Sequence, residues 1–251
     1  MPTSNCSCPT CSKRTPQVAH KIPGRSHDKE SLIDISLADL HFQLLADRGL
    51  FWPEQRTLFV ADPHFGKDAT FRVQGAPVPA GSTDGTLARI SKLLRQTAAD
   101  RLCILGDMFH ARSSLSSEVK TSIGSFFGEH PNVAWLLVRG NHDARVGQLP
   151  LDWPLQVVDP GFEIERVAVG HHPGEVPQGS DIYLCGHIHP AVRVASRGDS
   201  LGKLPCFWHS RGCVVLPAIG EFTGTHVVQP DSRDDVWIVA GDAVLRYRSA
   251  Y

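Results

Sequence analysis

Aspartate, histidine and asparagine recur at one kind of place in this chain. The apolar run 57–61 ends in Asp62-Pro63-His64, and the run 102–106 ends in Asp107. The run 134–138 leads through Arg139-Gly140 into Asn141-His142-Asp143. The run 167–170 ends in His171-His172, and the run 182–186 ends in His187-Ile188-His189. Carboxylate, imidazole and amide oxygen are ligands for hard or borderline divalent ions. In an α/β sheet, ligands bind at the carboxyl ends of the strands. Singly the signals are weak, because Gly-Asp and Gly-Asn also occur in ordinary turns. Five in succession, each at the end of a short apolar run, point to one metal site.

The elements that must position these residues can be read from periodicity. Short strand-like stretches fill 32–60, with Asp47-Arg48-Gly49 as a turn. A long loop is expected over 66–81, then a helix capped by Ser82 or Thr83, with Leu87, Ile90, Leu93, Leu94 and Thr97 at helical spacing. A second helix is expected over about 115–129, with Val119, Ile123, Phe126 and Phe127 on one face. Strand and helix alternate up to Gly140, which predicts a partly parallel sheet. After His189 the helical pattern stops, and short strands are expected around 205–208, 212–216, 226–228, 236–239 and 244–247. Residues 31–251 read as one α/β domain with two sheets. Residues 1–30 are rich in Pro, Ser, Thr and Lys without periodicity and read as a flexible, basic, Cys-containing N-terminal extension.

Composition narrows the class. The chain has 251 residues, 41% hydrophobic and 20% charged, enough for one full core. A net charge of −1 gives the whole chain no basic footprint for nucleic acid. No run approaches the roughly 20 apolar residues of a membrane span, and the N-terminus has no apolar signal core, so a cytoplasmic protein is expected. Of the seven cysteines, Cys103 and Cys185 fall in predicted core strands, which argues against a disulfide framework. Cys6, Cys8 and Cys11 cluster in the extension, where with His20 they could hold zinc, but the one C-x2-C of Cys8 and Cys11 lacks the second pair of a usual zinc site, and a disordered polar tail is expected.

The set Asp62-x-His64, Gly106-Asp107, Gly140-Asn141-His142-Asp143, His171-x-Pro173 and Gly186-His187-x-His189 resembles the calcineurin-like metallophosphoesterase superfamily. The stretches 62–67 and 71–81, Leu105 to Arg112, Pro205 to Trp208 and Leu216 to Gly224 narrow the resemblance to the ligase-associated DNA damage response endonucleases, over about 38–247. Pro63, Ile219 and Thr225 depart from that pattern without removing a ligand. The resemblance implies a metallophosphoesterase four-layer α/β/β/α sandwich with two mixed central sheets. It implies two divalent metal ions, Mn first, with Fe, Zn, Co or Ni as alternatives. One ion would take Asp62, His64, Asp107 and His189, and the other Asp107, Asn141, His171 and His187, with Asp107 bridging. His142 would face the phosphate and protonate the leaving oxygen, and Asp143 would orient its imidazole. His172 is the poorer ligand candidate. Arg72 and Arg112, and less so Lys67 and His110, could grip a substrate phosphate. Phe71, Trp208 and Phe222 could stack on a base or simply pack. DNA is the implied substrate, with a functional link to an ATP-dependent DNA ligase and its repair partners. A small phosphodiester or nucleotide-sugar pyrophosphate is the rival substrate, and a non-catalytic scaffold the rival class.

Deleting residues 1–30 is expected to leave kcat on a small chromogenic diester unchanged, because no candidate ligand lies there. It removes Lys13, Arg14, Lys21, Arg25 and Lys29 along with Asp28 and Glu30. Each lost phosphate contact lowers the salt slope of single-strand binding by roughly 0.7. Equal DNA affinity and salt slope in the truncated and full-length proteins would show the extension to be passive.

Overall fold

The computed structural model describes residues 31–68, 70, 81–196, 199–221 and 223–248. The N-terminal extension and Arg72, Phe71 and Phe222 lie outside these residues, as does most of the loop expected over 66–81.

The first sheet runs in the order β1 (Leu32–Leu37), β2 (Leu40–Leu45), β3 (Leu50–Trp52), β4 (Thr57–Val60), β5 (Arg101–Leu105), β6 (Ala134–Val138), β7 (Leu155–Val158). Strands β1 to β4 are an antiparallel meander, and β4 to β7 are parallel. Helix α1 (Ser82–Thr97) connects β4 to β5, and α2 (Ser117–Glu129) connects β5 to β6.

The second sheet contains β8 (Phe162–Ile164), β9 (Val167–Val169), β10 (Ile182–Cys185), β11 (Pro190–Ser196), β12 (Asp199–Ser210), β13 (Cys213–Val215) and β14 (His226–Val227). Strand β15 (Asp235–Ala240) pairs with β12, and β16 (Ala243–Tyr247) pairs with β15. Strands β9, β10 and β13 are mutually parallel, while β12 is antiparallel to β11, β13 and β15.

Alternation along the strands explains the sandwich. In β4, Phe59 points into the core between the sheets, while Leu58 and Val60 point to the core under the helices. Strands β5 and β6 repeat this, with Cys103, Leu105, Leu136 and Val138 inward and Leu102, Ile104, Trp135 and Leu137 outward. Burial on both faces is why these strands read as unbroken apolar runs. The helices add Leu87, Ile90, Leu93 and Leu94 from α1, and Val119, Ile123, Phe126 and Phe127 from α2. In the second sheet, Ile182 and Leu184 face the shared core, and Tyr183 and Cys185 face outward. That outer face is covered, among the described residues, by the irregular segment around Val176 rather than by a helix. The expected α/β sandwich of two mixed sheets is present, with both described α-helices on the side of the first sheet.

One cap differs from expectation. The N-cap of α1 is Gly81 at φ +99°, and Ser82 and Thr83 are buried in the first turn. The Thr83 hydroxyl accepts from the Gly66 N–H at 3.0 Å, so it ties the loop after His64 to the helix instead of capping it. In α2, Ser116 is a side-chain cap, accepting from the Val119 N–H. Strands β7 and β8 were not anticipated, because Leu155–Val158 is half exposed and Phe162–Ile164 spans only three residues. Among the described residues no helix is long and apolar enough to cross a membrane.

Phe59 has no exposed surface and lies two residues before the Ala61-Asp62 corner. Phe59→Ala is expected to destabilise the protein by about 3–5 kcal/mol. The measurement is a lower denaturant midpoint at unchanged slope.

Candidate metal centre

The two sheets end at the same place. Strands β4, β5 and β6 deliver Asp62, His64, Asp107 and Asn141 from one side, and β9 and β10 deliver His171, His187 and His189 from the other. Five of these residues have left-handed backbone: Asp62 (φ 52°), His64 (47°), Asp107 (46°), His187 (72°) and His189 (51°). Such residues cost on the order of 1–3 kcal/mol each and persist only where the surroundings fix them. Cross-bonds between the loops do so here. The His64 N–H donates to the Asp107 carbonyl (3.1 Å), and the Gly186 N–H to that of His171 (3.0 Å). The His187 N–H donates to Asp62 Oδ2 (2.8 Å), and the His142 N–H to Asp107 Oδ1 (2.9 Å). Two glycines permit this closeness. A Cβ on Gly106 (φ +82°) would lie 2.2 Å from His171 Nδ1, and one on Gly140 would lie 2.3 Å from Asp107 Oδ1.

The side chains converge in linked groups. Donor atoms of Asp62, His64 and His189 lie within 4.8 Å of one another, as do those of Asp62, Asp107 and His171. His64 Nε2 and His189 Nε2 face each other at 3.2 Å. His171 Nε2 is 3.0 Å from Asn141 Oδ1, 3.1 Å from His187 Nδ1 and 3.4 Å from Asp107 Oδ1. Backbone carbonyls set the ring tautomers. His171 Nδ1 is 3.0 Å from the Leu105 carbonyl, and His189 Nδ1 is 2.9 Å from that of Gly224. A carbonyl only accepts, so each Nδ1 carries the proton and each Nε2 turns a lone pair inward.

These donors fit a pair of divalent ions. Asp62 Oδ1 is buried without a hydrogen-bond partner. Facing ring nitrogens and clustered carboxylates are the arrangement a cation satisfies. The mixture of imidazole, carboxylate and amide oxygen suits Mn, Fe, Co, Ni or Zn.

The electrostatics agree. Burial, with the neighbouring His189, pushes His64 down to about 2, so it is a neutral donor. Burial raises the Asp107 carboxyl, but the hydrogen bond and charge of His171 and the His142 N–H outweigh it and bring it to about 2. Burial lowers His171, but Asp107 and Asp62 override it and raise its pKa. Protonation of His171 therefore competes with metal binding.

Other predicted residues sort by position. The His142 ring stacks on His110 (centroids 5.0 Å, 21° between planes) and meets His64 edge-on (5.5 Å, 89°). Its Nδ1 donates to the His110 carbonyl at 2.5 Å, leaving Nε2 3.8 Å from Asp107 Oδ2. Asp143 does not orient this ring. Its carboxylate accepts the Gly140 N–H (2.9 Å) and the Phe109 N–H (3.2 Å), bracing the loops after β5 and β6 against each other. Burial raises Asp143 to about 6 despite those bonds.

His110, read from sequence only as a loop residue near phosphate, is the group that holds His142. Its role as a carbonyl and a stacking partner left no signal in its residue type. His172, ranked low as a ligand, lies with His171 and His187 in a third group of donor atoms within 4.8 Å. Its ring centroid is 4.1 Å from that of His187. Lys67 is buried, and the desolvation that lowers its pKa is opposed by Asp62. Arg112 is exposed on a one-turn helix beyond His110. Arg72 lies outside the described residues.

Comparison with known proteins follows the same lines. The model of the calcineurin-like phosphoesterase family matches residues 55–189, which span all seven candidate ligands. Among solved structures, the nuclease MPE of Pseudomonas putida is 34% identical, with a TM-score of 0.74, over 86% of this chain and 100% of that one. The phosphoesterase Yfce of E. coli is 17% identical with a TM-score of 0.38, over 75% of this chain and 90% of that one. No curated protein sequence matches the chain. The two-sheet sandwich, the clustered ligands, the family match over 55–189 and the likeness to the nuclease MPE agree: the chain belongs to the calcineurin-like phosphoesterase family and is a metal-dependent phosphodiester hydrolase.

Proposed function

We propose that this enzyme is a dinuclear-metal phosphodiesterase that cuts DNA, acting as an endonuclease in ligase-associated DNA repair, with Mn as its metal. The carrying observation is the convergence of Asp62, His64, Asp107, Asn141, His171, His187 and His189 at the joint end of the two sheets, with His142 Nε2 facing Asp107. The likeness to a solved nuclease at 34% identity over its whole length supports nucleic acid as the substrate class.

When bound, two divalent ions supply Lewis acidity and an acidic water for attack at phosphorus. Asp107, grouped with Asp62 and His171, would be the carboxylate shared by both ions in this reading. Carbonyl-fixed tautomers keep His171 and His189 presenting Nε2 without reorganisation. His142 serves the leaving oxygen. Its Nδ1–H is fixed to a carbonyl, so Nε2 is the atom that takes up and returns a proton. Asp143 keeps Gly140 and Phe109 in place, and so sets where His142 stands.

The deciding experiment is a substrate panel with manganese-loaded protein. Cleavage of single-stranded DNA, internal sites included, supports the reading. Turnover of nucleotide sugars or small diesters with no action on DNA would overturn it in favour of the small-substrate alternative. The ligase link is tested by epistasis with an ATP-dependent DNA ligase gene of the same genome.

Asp107→Asn is expected to abolish diester hydrolysis and lower metal content at both ions, measured by metal analysis after desalting. Full occupancy with near-normal turnover would remove the bridging assignment.

His142→Ala is expected to keep both metals. Its turnover should fall about 10²–10⁴-fold on substrates with poor leaving groups and much less on those with acidic ones. Loss of metal in this variant would make His142 a ligand.

A further inference from the structure

A cavity of about 550 Å³ lies on the outer face of the second sheet, bordered by Pro173, Val176, Trp208, Arg211, Val215 and Gln229. It adjoins the metal centre by strand register. Trp208 in β12 pairs with Val215 in β13, which pairs with Cys185 in β10, two residues before His187. Neighbouring strands are about 4.8 Å apart, so the Trp208 backbone lies roughly 10 Å sideways from Cys185, at the ligand-bearing end of the sheet. Pro173 closes the gap from the other side, two residues after His171.

The wall has the chemistry of a base site. Trp208 is half buried beside the partly buried Ile188, the residue between His187 and His189. Its indole N–H donates to Asp234 Oδ2 at 2.9 Å, which fixes the ring plane. Arg211 sits exposed at the β12–β13 hairpin with φ 50°, further from the ligands along the same cavity. Gln229 is exposed at the rim, with an amide that both donates and accepts. Three acids line the cavity: the exposed Glu175 and Asp231, and the half-buried Asp234. Asp231 is paired with Arg233 at 3.1 Å, and Asp234 accepts from Trp208 and from the Asp231 N–H.

We infer that this cavity is a nucleobase subsite, in which the base of a nucleotide next to the scissile phosphate stacks on Trp208 while Arg211 meets the strand's phosphate further along. The inference rests on DNA being the substrate and deepens it: a site that grips an unstacked base selects single strands over paired ones. Aromatic stacking is sequence-tolerant, because every base has a π face.

The test uses manganese-loaded full-length protein and two labelled phosphorothioate oligomers of equal length, an oligothymidylate and a deoxyribose-phosphate strand without bases. Wild type is expected to bind the base-bearing strand roughly 5–150-fold more tightly. Trp208→Ala should abolish that preference, and Trp208→Phe should retain most of it. Gln229→Trp, placed at the exposed rim, should block the cavity and also abolish it. Arg211→Ala should weaken both oligomers alike and flatten the salt dependence. All four variants should hydrolyse bis(p-nitrophenyl) phosphate at the wild-type rate. Undiminished preference in Trp208→Ala, or equal loss in Trp208→Phe and Trp208→Ala, would overturn the subsite, the latter because it shows a packing role. Absence of DNA cleavage by wild type would instead overturn the substrate reading beneath it.

Discussion

Two buried carboxylates and four ligand imidazoles meet at the joint end of the sheets, and positive charge among them stabilises that placement. Asp62 and Asp107 are nearly inaccessible to solvent, and Asp62 Oδ1 has no hydrogen-bond partner. A buried carboxylate without compensation is strongly disfavoured. The upward push on His171 and the downward push on Asp107 express the same demand: a proton on one ring is what the bare site can recruit. Divalent ions answer that demand better, and in binding they displace that proton. Metal affinity should accordingly rise with pH until His171 is deprotonated.

The rest of the fold can be understood as holding the ligands against their own strain. Left-handed backbone at five ligand residues does not persist on isolated loops. Here each loop is fastened to another: Asp62 to Gly220 and His187, His64 to Asp107, and His171 to Gly186 and Leu105. The segment after β13 takes part, with the Ile219 N–H on the Ala61 carbonyl and Arg48 and Arg89 on the carbonyls of Ala218 and Ile219. Thus a stretch that carries no ligand fixes the first one.

Legibility in the sequence followed burial. Strands buried on both faces, such as Thr57–Val60 and Arg101–Leu105, show as apolar runs, and their ends marked the ligands. The faces of α1 and α2 were equally plain. What sequence did not reveal is carried by backbone atoms. The carbonyls of Leu105, His110 and Gly224 orient His171, His142 and His189, and a carbonyl leaves no trace in residue type. Asp143 was misread for the same reason: adjacency to His142 suggested a side-chain partner, but its oxygens were needed by two N–H groups. Ser82 and Thr83 looked like caps because cap and loop tie use the same hydroxyl chemistry, and only the fold chooses between them.

The placement of His142 shows how this division of labour bears on catalysis. It follows Asn141 directly and precedes a one-turn helix at Asp143–Arg145, so its backbone is set by the loop that presents a ligand. Its ring, by contrast, is set from the other sheet position, by His110 beyond β5, through a 2.5 Å bond and a stacked contact. The proton-carrying atom is therefore positioned relative to two ligand loops at once. Any movement of Asp107 against Asn141 would shift Nε2 as well, so metal geometry and proton delivery are coupled through the short segment from Met108 to His110. Met108 and Phe109 are fully packed beneath it, and the Phe109 N–H reaches Asp143, which closes the circuit between the two loops.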